Sequence, residues 1–316
     1  MTAARACLHR SPAAGRARPE GAATGPNGLR RWQAGLSLVE LMVALLIGLG
    51  VVSTVLAAYL GSGVSSRHSL AMAQMSDDAS VALFVIRQHL AMAGYSRPAA
   101  IEADGSRFNR VYAGPALYGC DSGFADLAAD MDDLRCDAAD DRSDAIAVAF
   151  EADLRNSLAN ADGTHPLDCL GNAIDGPRRG VAPHDHWLSY SRLYVDQPSG
   201  GTARALMCRG PGAVGAQALV ENIEHLEILY GVSDGTNRHV ARYEPASALS
   251  RAEFERVLTV QVCVVVASAA AVMDQVTAYP GCDPYAEPVQ PAAGDRRLFR
   301  SFTSTIVLHN RIEGVL

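Results

Sequence analysis

The chain changes its hydrophobic rhythm three times. From Leu41 to Leu60, twenty consecutive residues carry no formal charge, and at ~1.5 Å per residue a helix of that length reaches across roughly the 30 Å hydrocarbon core of a bilayer. The apolar segment opens at Gly35, and its one carboxylate is Glu40. Further on the pattern becomes one-sided. Met75, Ala79, Ala82, Leu83, Ile86 and Leu90 recur at helical spacing, while Asp77, Asp78, Arg87 and Gln88 fall off that stripe. Together these predict one helix from Ser37 to Ala93, about 85 Å long at the standard rise, greasy all round in its first half and amphipathic in its second. Gly94 is a good residue to end it, with Pro98 soon after. No proline interrupts the helix, and Gly61 and Gly63 offer a soft point between its halves.

After Pro98 the rhythm turns to strands. Ala145–Phe150, Trp187–Val195, Arg204–Cys208, Ala218–Tyr230, Arg256–Ala267 and Phe302–Asn310 are apolar or alternating runs separated by Gly, Pro and Asp clusters. In the fifth, Leu258, Val260, Val262, Val264 and Val266 lie on one face and Thr259, Gln261 and Cys263 on the other. No helical pattern of comparable length separates the late strands, so an antiparallel sheet is a simpler packing than βαβ winding. The expected fold class is α+β, a long amino-terminal helix packed on an antiparallel β-sheet domain.

Charge sharpens this division. All 27 basic residues are Arg, and six of them (Arg5, Arg10, Arg16, Arg18, Arg30 and Arg31) precede Gly35 against the single acid Glu20. The remainder holds 21 Arg against 33 acids, a net charge of −12. That balance gives no positive sign of the basic face that nucleic acid would need, so no nucleic-acid partner is predicted. Residues 1–35, rich in Ala, Gly and Pro and without apolar periodicity, read as a leader or disordered tail. Residues 36–93 are then the helix, with its membrane segment at about 41–60, and residues 94–316 a β-rich domain. Arg30 and Arg31 closely precede the apolar run, whereas Arg67 is the first base after it. The positive-inside rule therefore puts the amino end in the cytoplasm and the body outside it.

In an ordinary secretory signal the small residue follows the apolar region. Here it comes first: a basic leader, then Gly35, then L-S-L-V-E-L-M-V. That order resembles the class III signal of type IV prepilins and pseudopilins. The resemblance implies cleavage after Gly35 by a membrane prepilin peptidase, N-methylation of the new first residue Leu36, and an assembly role for Glu40. Leu36 departs from the usual Phe, and the leader is longer than most, so the true translation start can lie downstream of Met1. The later phrases LAMAGYSRP, LDCLGN, LVENIEHLEILYGV and FTSTIVLHNR resemble the PilW class of minor pilins, which is related to the GspJ-type minor pseudopilins of type II secretion. The partners implied are other minor and major pilins, the prepilin peptidase, the inner-membrane pilus machinery and membrane lipid. The place implied is the cytoplasmic (inner) membrane and then the base or tip of a pilus.

The physical case for Glu40 stands beside that resemblance. A carboxylate in hydrocarbon costs about 2.5–3.5 kcal/mol on the gentler insertion scales, so it needs an interface or a partner. Cleavage would create an amine on Leu36 in the same low-dielectric layer. In a helical filament Glu40 of one subunit could neutralise that amine on a neighbour. The simpler alternative is a first-turn acid that only complements its own helix dipole.

Seven cysteines occur, and if the leader with Cys7 is removed six remain: Cys120, Cys136, Cys169, Cys208, Cys263 and Cys282. Outside the cytoplasmic membrane thiols are oxidised, so disulfides are the default, with about 15 connectivities open. Pairing sequence neighbours, Cys120 with Cys136, Cys169 with Cys208 and Cys263 with Cys282, closes the shortest loops. A thiolate metal site is the rival, and it lacks any C-x-x-C spacing.

Three further patterns invite chemistry. Gly231-Val232-Ser233-Asp234-Gly235 fits G-x-S-x-G after a strand, but Thr236-Asn237-Arg238 leads to no helix, as a nucleophile elbow requires; a hairpin turn is the expected reading. His184-Asp185-His186 offers two imidazoles beside Trp187 on a Gly/Pro-rich stretch, and is read as an exposed turn rather than a metal site. The run Asp121–Asp144 holds nine Asp and two Arg. Oxygen-rich loops can hold calcium, but the D-x-[DN]-x-[DN]-G spacing is missing, so a solvated loop is expected.

No catalytic set, metal or cofactor is expected, and assembly is the expected function: a minor pilin taking part in or priming pilus assembly. A minor pseudopilin of type II secretion, a signal-anchored periplasmic hydrolase built on Ser233 and an adhesin at a pilus tip are the alternatives.

Overall fold

The computed structural model describes residues 35–101, 108–138, 143–176, 178–179, 185–212, 214–235 and 239–311. The leader up to residue 34, and with it Cys7, lies outside them. The chain divides into two compact units, Met1–Ala58 and Tyr59–Leu316, so the division falls inside the helix.

Helix α1 runs Leu38–Met92 and is unbroken at Gly61 and Gly63. Its end follows from local chemistry. Gly94 adopts φ 71°, a left-handed conformation that glycine reaches without Cβ strain, and its N–H is taken by Ala149 O at 2.9 Å.

In the second unit, Ala71, Met75, Ala79, Ala82, Ile86 and Leu90 are the buried residues of α1. The stripe alternates alanines with larger side chains, which lets the helix approach the strands closely while Met75, Ile86 and Leu90 fill the space. Full burial of each large side chain is worth about 1.5–3 kcal/mol.

The strands, all antiparallel, are β1 (Pro98–Ile101), β2 (Phe108–Arg110), β3 (Leu117–Cys120), β4 (Ala145–Ala152), β5 (Arg178–Arg179), β6 (Asp185–Asp196), β7 (Ala205–Arg209), β8 (Gln217–Glu221), β9 (Ile223–Val232), β10 (Arg242–Glu244), β11 (Val257–Ala271) and β12 (Arg297–Val307). They form a two-stranded ribbon β1-β2, a sheet ordered β3-β4-β6-β7-β8 with β5 paired to β6, and a second sheet ordered β10-β9-β11-β12. A short helix α2 (Arg251–Phe254) precedes β11, with the capping box Ser250/Glu253 at its start.

One core joins the helix to both sheets: Met75, Ala79, Ala82, Ile86 and Leu90 cluster with Ile146, Val148 and Leu193 of the first sheet and with Ile223, Leu226, Ile228, Val260, Val262, Val264 and Val266 of the second.

Two differences from the sequence pattern have clear causes. Ala218–Tyr230, expected as one strand, is β8 and β9 in two different sheets. The break is Asn222 at φ 63°, a left-handed conformation that asparagine tolerates better than most residues. Its side-chain amide donates to Asp78 Oδ2 of α1 at 3.2 Å, tying the junction to the helix. The last strand begins at Arg297, not Phe302, because it pairs along the full length of β11, and it ends at Val307 before a 3₁₀ turn, His309–Arg311.

β4 is buried along its whole length. Its period-two faces serve two cores: Ile146 and Val148 face the helix core, and Ala145, Ala147 and Ala149 pack against Phe124, Met131 and Leu134. The acidic run expected as a solvated loop therefore covers the outer face of a sheet, at least over its described residues. Every third or fourth residue there is apolar, and the alanines of β4 leave room for it.

Candidate assembly site

The head of α1 is built from its own sequence. Ser37 precedes the first helical residue, and its hydroxyl accepts the Glu40 N–H at 3.1 Å, while Ser37 O accepts the Leu41 N–H at 3.1 Å. Ser37 is thus the amino cap and Glu40 the third helical residue, the S-x-x-E spacing of a capping box. Glu40 is exposed. It also lies where the helix dipole favours a negative charge.

Around it, no described residue covers the apolar side chains. Leu36 is 71% exposed and Leu46 69%, and every described residue from Gly35 to Leu70 is exposed. Leu38–Met92 is the one helix among the described residues long and apolar enough to cross a membrane. A patch of this size is not left to water in a soluble protein. It calls for lipid or for other apolar helices.

The six cysteines of the body are joined as Cys120–Cys136, Cys169–Cys208 and Cys263–Cys282. Each fastens a long connection to a strand: the 121–138 segment to β3, the 153–176 segment to β7, and the 272–296 connection to β11.

The other candidate patterns resolve into structural roles. Ser233 follows β9, and its hydroxyl accepts the Gly235 N–H at 3.1 Å; β10 then returns antiparallel to β9, so the G-x-S-x-G match closes a hairpin. Thr236, Asn237 and Arg238 lie outside the described residues. In the His-x-His pair, His184 also lies outside them. His186 was expected in an exposed turn but is 5% exposed on β6, its ring 5.9 Å from that of Tyr112. β6 begins earlier than its apolar run because Arg178 of β5 pairs opposite His186.

The acidic run is tied down by backbone donors. Asp121 accepts the N–H groups of Ala246 and Ser247 at 2.8 and 2.9 Å. Asp126 accepts the Ala128 N–H. Asp144, 8% exposed, accepts the Ile228 N–H at 2.6 Å. Burial pushes the Asp144 carboxyl up to about 8, aided by the nearby charges of Asp121 and Glu227, against the pull of the Ile228 hydrogen bond. No sequence signal marked Asp144 out from its eight neighbours, since its burial depends on β9 lying alongside.

One close approach shows how tightly the two sheets meet. The Tyr230 hydroxyl sits 1.9 Å from where a Cβ on Gly119 would stand, so only glycine fits at that point of β3. The Tyr230 ring packs edge-on against Phe254 at 5.1 Å.

Residues 192–310 match the family described as type IV pilus-assembly protein W, PilW. The match covers 119 of the chain's 316 residues. Within the PilW segment lie β7 to β12, Asn222 and the Cys263–Cys282 bridge, whereas α1 and the Gly35 motif precede it. A type IV-like pilin from Thermus thermophilus aligns over 74% of this chain and 97% of its own, with 11% identity and a TM-score of 0.37. No curated protein matches the chain.

Proposed function

We propose that this chain is a minor pilin that enters, or primes, a type IV pilus after removal of its leader between Gly35 and Leu36. In this reading the precursor inserts in the cytoplasmic membrane with its amino end inside and its body in the periplasm. A prepilin peptidase cuts after Gly35, and Leu36 becomes the N-methylated first residue. The first half of α1 then moves from lipid into a bundle of like helices, losing no apolar burial in the exchange. Glu40 meets the Leu36 amine of a neighbour, so neither charge stays unpaired in a dry environment. Other minor and major pilins contact the β-rich body, and the inner-membrane assembly machinery handles the subunit.

The observation that carries the proposal is a helix exposed on every side from Leu38 to Leu70, with one acid in its first turn directly after the Gly35 motif. The PilW match adds the coarser assignment to pilus assembly.

Two measurements test it. The mass and first residue of protein recovered from membranes should give a chain beginning at methylated Leu36. Glu40→Ala should abolish or sharply reduce surface pili while membrane insertion stays normal. Normal piliation with Glu40→Ala, or a mature chain that begins upstream of Leu36, refutes the proposal.

A further inference from the structure

The core-facing row of β6 changes character part-way along the strand. Leu193 and Val195 belong to the core around α1, whereas the next two positions on that face are Ser191 and Ser189, 1% and 2% exposed. Their neighbours on β4 stay apolar: Ile146 stands opposite Leu193, Val148 opposite Ser191 and Phe150 opposite Ser189. Residues directly opposite in an antiparallel pair share a face. Two small hydroxyl side chains therefore sit where the row calls for large apolar ones, and the space they leave is not filled.

That space is a cavity of about 390 Å³, with the last turn of α1 on one side and the 153–176 segment on another. It lies wholly within the second unit, away from the head of α1. Its apolar walls are Met92, Phe150, Leu158 and Leu167. A volume of roughly 300–1,000 Å³ with an apolar lining and a few polar groups is that of a small-ligand site.

The polar groups in the wall are few and short of charge. The Ser191 hydroxyl has no hydrogen-bond partner among the described residues. A buried hydroxyl left unpaired costs free energy that a ligand's hydrogen bond returns. His89 Nδ1 lies 2.8 Å from Val85 O, and because a carbonyl only accepts, Nδ1 carries the proton and Nε2 is left as an acceptor. Burial holds the pKa of this ring below the ordinary imidazole value, so it is neutral at pH 7. The one carboxylate in the wall, Asp168, already accepts the N–H groups of Leu170, Asn172 and Gly212. No Arg is among the described residues that line the cavity.

We propose that this cavity binds a neutral amide carrying an apolar group, the amide N–H donating to His89 Nε2, its carbonyl accepting from the Ser191 hydroxyl, and the apolar group lying against Met92 and Phe150. An amide is an uncharged group that sets one donor and one acceptor side by side. A carboxylate would meet no cation in this wall, and an ammonium no free carboxylate, so either would lose its hydration uncompensated. The site is independent of the pilus-assembly reading and goes beyond it.

The experiment titrates the full chain in lipid nanodiscs with N-acetyl-leucinamide, read by saturation-transfer NMR against empty nanodiscs. Saturable binding is expected. N-acetyl-glycinamide, which lacks the apolar group, and N-acetyl-leucine, which adds a carboxylate, should each bind about tenfold more weakly or worse. Ser191→Ala should weaken the leucinamide about fivefold, and Ser191→Leu, which refills the cavity, should abolish binding. A second readout keeps the wild-type wall intact: in chain labelled with ¹⁵N-histidine, the His89 Nε2 resonance, identified by its loss in His89→Gln, should shift on binding. The capped tripeptide N-acetyl-glycyl-leucyl-glycinamide separates the sources of the amide. Affinity equal to that of the leucinamide assigns it to a peptide segment of a neighbouring chain, and exclusion assigns it to a free small molecule. Binding that does not saturate, equal affinity for the three single-residue probes, affinity unchanged by both Ser191 variants, or a stationary His89 resonance each overturns the assignment.

Discussion

The two halves of α1 are made from much the same residues and live in different surroundings. Between Leu38 and Leu70 apolar side chains point in every direction, and all are exposed in the isolated chain. Between Ala71 and Met92 the apolar residues keep to one stripe, and that stripe forms the centre of the body's core. Apolar content does not separate the halves; angular distribution does. A helix that is greasy all round has no inside of its own and must be given one by lipid or by its neighbours, whereas a one-sided helix finds its inside within the same chain.

The largest effect should come from breaking that contrast directly. Ile86 is fully buried and Leu49 is 64% exposed. Ile86→Ala should cost the body about 2–5 kcal/mol of unfolding free energy in a denaturant titration, while Leu49→Ala should stay within about 0.5 kcal/mol. Equal effects would mean that the exposed half is also packed against the body.

A smaller effect tests how dry the interior beside the second half is. Asp144 hydrogen-bonds the backbone of β9, whose Leu226 and Ile228 belong to the helix core. Its carboxyl is raised from 3.8 to about 8, so the folded chain holds a proton that the unfolded chain releases. The stabilising contribution is complete below pH 3.8 and is lost as pH rises towards 8. Thermal melts should show a decline across that window with a slope of at most about 1.4 kcal/mol per pH unit, and Asp144→Asn should flatten it. A carboxyl group with free access to water would give no such slope.

The smallest concerns a polar tie between the second half of α1 and the junction of the two sheets. Asn222→Ala removes the hydrogen bond to Asp78 and keeps a Cβ at φ 63° without the polar side chain that makes this conformation tolerable to asparagine. The expected loss is about 1–2 kcal/mol by chemical denaturation, with Asn222→Gly losing less because it keeps the backbone relaxed. If both variants lose the same amount, the side-chain bond alone matters.

Much of this was legible in the chain before any coordinates. The extent of α1, its change of character and its end at Gly94 are local properties, written in charge-free length, in a 3.6-residue period and in one glycine. Pairing cysteines by shortest loop also gives the bridges present: Cys120 and Cys263 each fasten the connection that follows their own strand, whereas Cys208 of β7 is reached from the more distant 153–176 segment.

What was hidden depended on residues far apart in sequence. The period-two run Ala218–Tyr230 reads as one strand because alternation carries no record of which sheet a strand joins; Asn222 divides it only because β7 and β11 stand on different sides. The acidic run looks solvated until β4 offers it an alanine face, and His186 looks exposed until β5 and Tyr112 cover it. The sequence by itself determined the elements, the exposed membrane-length helix and the motif at its head, because backbone propensity and amphipathicity act over a few residues. The tertiary structure alone decided which carboxylate is buried and which imidazole is covered, because desolvation is set by neighbours that only long-range packing supplies.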